Sequence, residues 1–156
     1  MKSTTKVWLF AFTVCVVALA AFAASDNMMG TWKLNEAKSK LGAGGPKNDS
    51  VTYEAVGGQI KVTVEGTQPD GTKTKTEWIG KFDGKEYPST GNPNEDMRSV
   101  KQTNARTLDV ISKKGGKVVL TAHVVVSADG KSRTVTSSGT SAEGKQWKST
   151  AVYDKQ

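Results

Sequence analysis

The chain has 156 residues, the length of one domain, and carries 22 Lys and Arg against 15 Asp and Glu, a formal charge of +7. Its lysines are spread along the sequence, and no aromatic residues interleave with the densest basic group, residues 113–117, to stack bases. We therefore expect no nucleic-acid partner. A positive surface steers acidic partners or simply keeps a protein soluble.

Residues 1–23 have the parts of a cleaved export signal. A start with two lysines precedes an apolar run over residues 7–20, and small residues then allow cleavage after Ala23. The run is shorter than the roughly 20 residues of a membrane-spanning helix, so an uncleaved anchor is the less favoured alternative. We expect one periplasmic or secreted domain at 24–156, without stable membrane insertion. It has no cysteine because Cys15 leaves with the signal.

The first predicted strand of the mature chain covers residues 30–34, Gly-Thr-Trp-Lys-Leu. Residues 35–41 favour one or two helical turns with Asn35 as the N-cap. The glycines and the proline that begin at Gly42 end any helix there. We interpret residues 35–50 as a flexible excursion across one end of the fold.

From residue 51 onward, turn dipeptides separate alternating segments. Asp-Gly and Gly-Gly pairs supply the positive φ of tight hairpin turns. They occur, together with one Glu-Gly pair, at residues 57–58, 70–71, 83–84, 115–116, 129–130 and 143–144. The spacing predicts an all-β, antiparallel, up-and-down barrel of about 8–10 strands: nine strands, with a possible short tenth at residues 86–88. Two stacked sheets are the alternative.

Alternation of apolar and polar residues predicts which side chains share the inner face of a strand. Three such sets are Ile60, Val62 and Val64; Val118, Leu120, Ala122, Val124 and Val126; and Trp147, Ser149, Ala151 and Tyr153. The segments 72–82 and 132–141 are rich in Thr, Ser and Gly, so they could leave room inside the barrel. Alternatively, 132–141 is a solvated strand with a poor core face.

The stretch Gly30-Thr31-Trp32-Lys33-Leu34 resembles the N-terminal Gly-x-Trp signature of the lipocalin and fatty-acid-binding-protein group, the calycins. The hairpin meander and the C-terminal residues 151–155 are also similar to that group. The chain as a whole resembles small exported bacterial lipocalin-like proteins, most of them uncharacterised. The resemblance implies an up-and-down barrel in which Gly30 and Trp32 form the closure of one end.

The chain departs from that group at two places. Members of the group have an Arg on the last strands that stacks on the Trp or binds a ligand carboxylate, whereas residues 146–154 contain no Arg. The position that carries Arg in fatty-acid-binding proteins, two before the matching Tyr153, is Ala151. Residues 35–50 are also too short and glycine-rich for the two-helix lid of those proteins.

The mature chain has one histidine, His123, which alternates with the apolar face of its strand. We therefore expect it to point outward. A role as axial haem ligand, found in some lipocalin-like barrels, would require His123 to face inward. Without a Cys, and with this one His, the sequence offers no catalytic triad.

Carboxylates flank the longest irregular stretch, residues 85–97. They are Asp83, Glu86, Glu95 and Asp96, and loops at barrel mouths commonly carry binding residues. Acidic residues beside Gly and Pro are equally typical of turns. The spacing matches no calcium loop. We predict no enzyme, no catalytic residue, no metal and no cofactor.

Aromatic and apolar residues are the candidates for lining a ligand pocket, although core packing is the alternative for each of them. The set is Tyr53, Trp78, Phe82, Val124, Trp147 and Tyr153. We predict an exported barrel that binds a small apolar or amphipathic molecule without catalysis. The alternative is a structural or interaction module with a filled barrel and a basic surface that meets a partner.

Overall fold

A computed structural model describes residues 26–68, 70–141 and 143–156. The predicted export signal at 1–23 lies outside these ranges. Every regular element of the described chain is a strand. The ten strands are β1 (Gly30–Lys40), β2 (Lys47–Val56), β3 (Gln59–Thr67), β4 (Lys73–Gly80), β5 (Asp83–Thr90), β6 (Met97–Asn104), β7 (Thr107–Lys114), β8 (Lys117–Val126), β9 (Ser132–Thr140) and β10 (Gln146–Lys155).

The strands form one closed barrel in which each strand pairs antiparallel with its sequence neighbours and β1 pairs with β10. The predicted all-β, up-and-down barrel is confirmed, and the alternative of two stacked sheets is wrong. The up-and-down order follows from the short hairpins, because consecutive strands pair wherever a tight turn reverses the chain, whereas closure comes from the pairing of β1 with β10. It also leaves no unpaired edge strand.

The helical turn predicted at residues 35–41 is wrong, because β1 continues to Lys40. Pairing with β10 shifts register between Asn35 and Lys40. The Ser39 hydroxyl donates to the Asn35 carbonyl (2.6 Å) and accepts from the Val152 amide (2.9 Å), so it bridges the irregularity. The Asn35 side chain accepts from the Lys38 amide (3.2 Å), as a cap would, but within a bulged strand.

The prediction of a long irregular stretch at 85–97 is also wrong. Most of it is β5, so the short possible strand at 86–88 is a full strand of eight residues. β5 pairs with β4 through only Glu77–Thr90 and Trp78–Ser89. Tyr87 packs edge-on against Trp78 at 5.8 Å beside this narrow seam. The irregular part shrinks to the six residues 91–96.

The barrel has two unlike ends. The connections at 41–46, 68–72, 91–96, 115–116 and 141–145 lie at one end, which we call the mouth. The chain termini of the barrel and the other hairpins lie at the opposite end, which we call the sealed end. Among the described residues, no helix is long and apolar enough to cross a membrane.

The apolar core fills the part of the barrel nearer the sealed end. Its buried side chains are Met28, Trp32, Val51, Tyr53, Val62, Val64, Trp78, Val100, Leu108, Val124, Val126, Ala151 and Tyr153. The inner faces predicted for β3 and β10 agree with this set. In β8 the prediction is wrong at one end: Val118 is exposed, because pairing with β7 shifts register near the hairpin tip.

Trp32 lies at the centre of the sealed end and is fully buried. Its indole N–H donates to the Met28 carbonyl at 2.9 Å, so the segment before β1 folds over the ring. Asn27 donates from its side chain to the Ala105 carbonyl (3.3 Å) and ties this segment to the β6–β7 hairpin. The end is therefore covered by backbone as well as by side chains.

Arg133 of β9 supplies the cation that the last strand lacks. It is 2% exposed, and its guanidinium lies over the rings of Trp32, Tyr53 and Tyr153 at 5.1, 5.2 and 4.7 Å. It also donates to the Tyr53 hydroxyl at 3.0 Å. Lys155 approaches the same indole at 5.2 Å. These cation–π contacts offset the cost of burying the Arg133 guanidinium, which forms no ion pair with a carboxylate of the described residues.

Candidate functional site: the barrel mouth

The mouth opens into a cavity of about 870 Å³. Strands β4, β8, β9 and β10 contribute to its lining, with Thr74 in β4, Val119 and Leu120 in β8, and Trp147 in β10. Residues of the connections at 41–46, 68–72, 91–96 and 141–145 form the rim. The size falls within the range of small-molecule sites, which are concave and combine apolar walls with a few polar groups.

Trp147 presents its indole to the cavity from a narrow slot between two glycines. A Cβ at Gly45 would lie 2.8 Å from Cε3 of the ring, and a Cβ at Gly139 would lie 2.7 Å from Cζ2. Because real Cβ atoms do not approach so closely, only glycine admits the ring here. The Gly42 amide donates to Ser149 at 2.9 Å and holds the β1–β2 connection against β10. The slot therefore fixes the ring plane.

Two charged residues form an ion pair inside the barrel wall beneath the mouth. The Arg98 guanidinium donates to Glu95 Oε2 at 2.8 Å, and the two side chains are only 13% and 3% exposed. Arg98 also approaches the Ser112 hydroxyl at 3.4 Å, and its carbonyl accepts from the Trp78 indole N–H at 3.0 Å. The pair is thereby anchored to the top of the apolar core.

The connection 91–96 holds Glu95 in a fixed position. The Glu95 amide donates to the Asn92 carbonyl (3.2 Å), and the Asp96 amide donates to the Lys113 carbonyl (2.9 Å). The Asp96 side chain accepts from the Gly115 amide at 2.8 Å, which links this connection to the β7–β8 hairpin. A carboxylate on such a tethered loop is positioned in advance, so binding there orders few groups.

The predicted pocket residues lie in different parts of the barrel. Trp147 lines the mouth cavity. Tyr53, Trp78, Val124 and Tyr153 belong to the buried core, and Phe82 packs against it, stacked on Trp78 at 6.4 Å. Gly30 and Trp32 lie at the sealed end. Contact of any of the six with a ligand stays a prediction.

The four carboxylates singled out in the sequence do not form one cluster. Asp83 is the first residue of β5, where the backbone N–H of Lys85 and, to a smaller extent, the Tyr87 hydroxyl lower the pKa of its carboxyl. Glu86 is exposed and pairs with Lys113. Only Glu95 reaches the mouth cavity. Among the described residues, no group of three or more His, Cys, Asp and Glu could hold a metal ion.

His123 points outward, as the alternation predicts, and its side chain is 55% exposed. Its Nδ1 lies 2.6 Å from Asp109 Oδ1 on the neighbouring strand. It lines a shallow depression of about 540 Å³ on the outer wall, floored by the hydroxyls of β8, β9 and β10. The inward orientation that an axial haem ligand requires is therefore not present.

Sequence reasoning missed Arg98 and Arg133 as inward-facing residues. A signal was available, because each lies two positions from an inward valine, Val100 and Val135, and residues two apart share a strand face. An inward orientation was not predicted because arginine is rarely buried. The burial of Glu95 had no such signal, because it lies in a connection and not in a strand.

No protein-family model matches the chain, and no curated protein matches it. The fold and the site define the class of protein: a closed ten-stranded antiparallel barrel with one sealed end and one open mouth. This architecture is compatible with a lipocalin-like fold.

Proposed function

We propose that this chain is a lipocalin-like protein of the small exported bacterial type, which binds a small amphipathic molecule at its mouth without catalysis. The observation that carries the proposal is the cavity of about 870 Å³ at one end of a barrel whose other end is filled. The ligand is held by burial and shape, as in other barrels of this size.

The two halves of the barrel determine how deep a ligand enters. Large side chains occupy the half nearer the sealed end, so the ligand stays in the upper half. There it meets the Trp147 indole and Leu120 on one side, and Thr74 and Glu95 as polar groups. Apolar walls with a few fixed polar groups favour a molecule that has both an apolar body and a polar head.

Export remains part of the proposal through the pattern of residues 1–23. A periplasmic or secreted binding protein of this kind would have neither nucleic acid nor a membrane as a stable partner. Protein purified from its own host and measured by native mass spectrometry identifies the ligand directly, because a bound small molecule adds its mass.

Titration with the neutral fluorescent probe N-phenyl-1-naphthylamine tests the proposal. We expect saturable binding to the mature protein, with a dissociation constant that rises about tenfold in Thr74→Phe, since a phenyl group there fills the cavity. Thr134→Phe, on the exposed face of β9, is the matched control and leaves binding unchanged. If no probe binds, the interaction module with a filled barrel takes the place of this proposal.

A further inference from the structure

Glu95 keeps one carboxylate oxygen without a hydrogen-bond partner in the described structure. The residue is 5% exposed and lines the mouth cavity. Its Oε2 accepts from Arg98, whereas Oε1 accepts from no group. A buried acceptor left unpaired is costly, and native proteins satisfy nearly all such atoms. An oxygen of this kind beside a cavity indicates a ligand atom that donates to it.

A second unpaired group lies on the same hairpin. Ser89 of β5 is buried, and its hydroxyl has no partner among the described residues. Its amide donates to the Asp96 carbonyl at 2.9 Å, so its backbone runs directly beside the connection that carries Glu95. Ser89 itself is not among the residues that line the cavity, so Glu95 is the unpaired group that a ligand there can reach.

The charges around the mouth disfavour an anionic ligand. Among the described lining residues, Asp70, Glu95 and Glu143 outnumber Lys73 and Lys145, whereas the whole chain is basic. Arg98 is not among the lining residues, and its guanidinium is engaged by Glu95 and by Ser112. A ligand carboxylate bound beside Glu95 would be repelled by the Glu95 carboxylate at short range, whereas the two lysines of the described lining, Lys73 and Lys145, are exposed.

We propose that the mouth recognises a molecule whose polar head is a hydrogen-bond donor, a primary amine or an alcohol, and that Glu95 Oε1 accepts from it. The inference rests on the proposed binding function and adds the class of ligand. A charge-assisted hydrogen bond from an ammonium to a buried carboxylate is about twice as strong as a neutral one. Amines are accordingly the preferred head group, and alcohols follow.

Three probes with the same apolar chain test this on the mature protein: octylamine, octanol and octanoate, each measured by displacement of N-phenyl-1-naphthylamine. We expect octylamine to bind about tenfold more tightly than octanoate, with octanol between them. In Glu95→Gln the amide keeps an oxygen for Arg98 and turns an N–H₂ toward the cavity. Octylamine should then lose about tenfold in affinity while octanoate gains.

Glu86→Gln is the matched control, because Glu86 is an exposed carboxylate that does not line the cavity, and it should change no affinity. If Glu95→Gln does not fold, the order of the three probes on the native protein decides. Equal affinities for the three probes, or a preference for octanoate, overturn the inference while the proposed function stands. If N-phenyl-1-naphthylamine itself does not bind to the native protein, the proposed function is overturned as well.

Discussion

The guanidinium carbon of Arg133 lies 5.1 Å from the ring centroid of Trp32, although the two residues belong to strands near opposite ends of the chain. The ring is held from its edge by the Met28 carbonyl and from its face by this cation. β9 is not a hydrogen-bonded neighbour of β1, since β10 lies between them. The contact therefore crosses the barrel interior and joins the first strand to the penultimate one.

Replacing Arg133 with alanine should destabilise the protein by about 2–4 kcal/mol. The substitution empties a buried site between three rings and leaves the Tyr53 hydroxyl without its donor. Urea unfolding measures the change. Arg106→Ala, at an exposed hairpin position, is the control and should stay within about 0.5 kcal/mol. A loss below about 1 kcal/mol for Arg133→Ala would mean that the cation is dispensable for closure.

Trp32→Ala should cost about 3–5 kcal/mol, the range for emptying a buried aromatic site. Trp32→Phe keeps a ring but loses the hydrogen bond to the Met28 carbonyl, so its loss should be smaller, about 1–3 kcal/mol. Urea unfolding separates the two variants. Val118→Ala, at a half-exposed position near the mouth, serves as control. Equal losses for Ala and Phe would show that the ring volume contributes nothing.

The free energy of unfolding should decrease as the pH rises, because Tyr153 loses its proton. Burial, the largest cause, raises the pKa of its hydroxyl from 10.0 to about 12, against a smaller opposing effect of the Arg133 charge. Because the folded state holds the proton more tightly than the unfolded state, this stability is complete below pH 10 and is lost as the pH rises toward 12. The loss amounts to about 2–3 kcal/mol.

The measurement is the free energy of unfolding between pH 9 and pH 12, compared with Tyr153→Phe. The variant loses the weak hydrogen bond from Tyr153 to the Asn48 carbonyl, at 3.2 Å, but also the titrating group. Its stability should therefore decline less steeply over this window. Parallel curves for the two proteins would show that Tyr153 does not titrate differently in the folded state.

Gly139→Ala should destabilise the protein by about 1–3 kcal/mol, because the added methyl group collides with the Trp147 ring and with the Val119 carbonyl. The same collision should tilt the indole and change the binding of N-phenyl-1-naphthylamine at the mouth. Thermal unfolding and probe titration together measure both effects. Thr134→Ala on the outer face of the same strand is the control. Unaltered stability and binding in Gly139→Ala would contradict the glycine slot.

The amino-acid sequence by itself determined the class of fold. Turn dipeptides such as Gly57-Gly58 and period-two alternation, as in β3 and β10, are local signals, because they depend on the φ angle of one residue and on the pleat of one strand. Local signals predicted the structure poorly where one segment had the features of both a helix and a strand. Asn35 has the chemistry of a helix cap, yet strand pairing with β10 outweighs it and turns the segment into a bulge.

Only the tertiary structure decided where the unusual residues lie. Whether Arg133 reaches Trp32 depends on the register of β8, β9 and β10 and on barrel closure. Both are set by pairing along whole strands and not by one local pattern. The burial of Glu95 and the slot for Trp147 depend on how connections fold over the mouth, and no single strand pattern contains that information. Local chemistry specifies strands and turns; the distances between strands far apart in sequence, and so the sealed end and the mouth, arise only when the sheet closes.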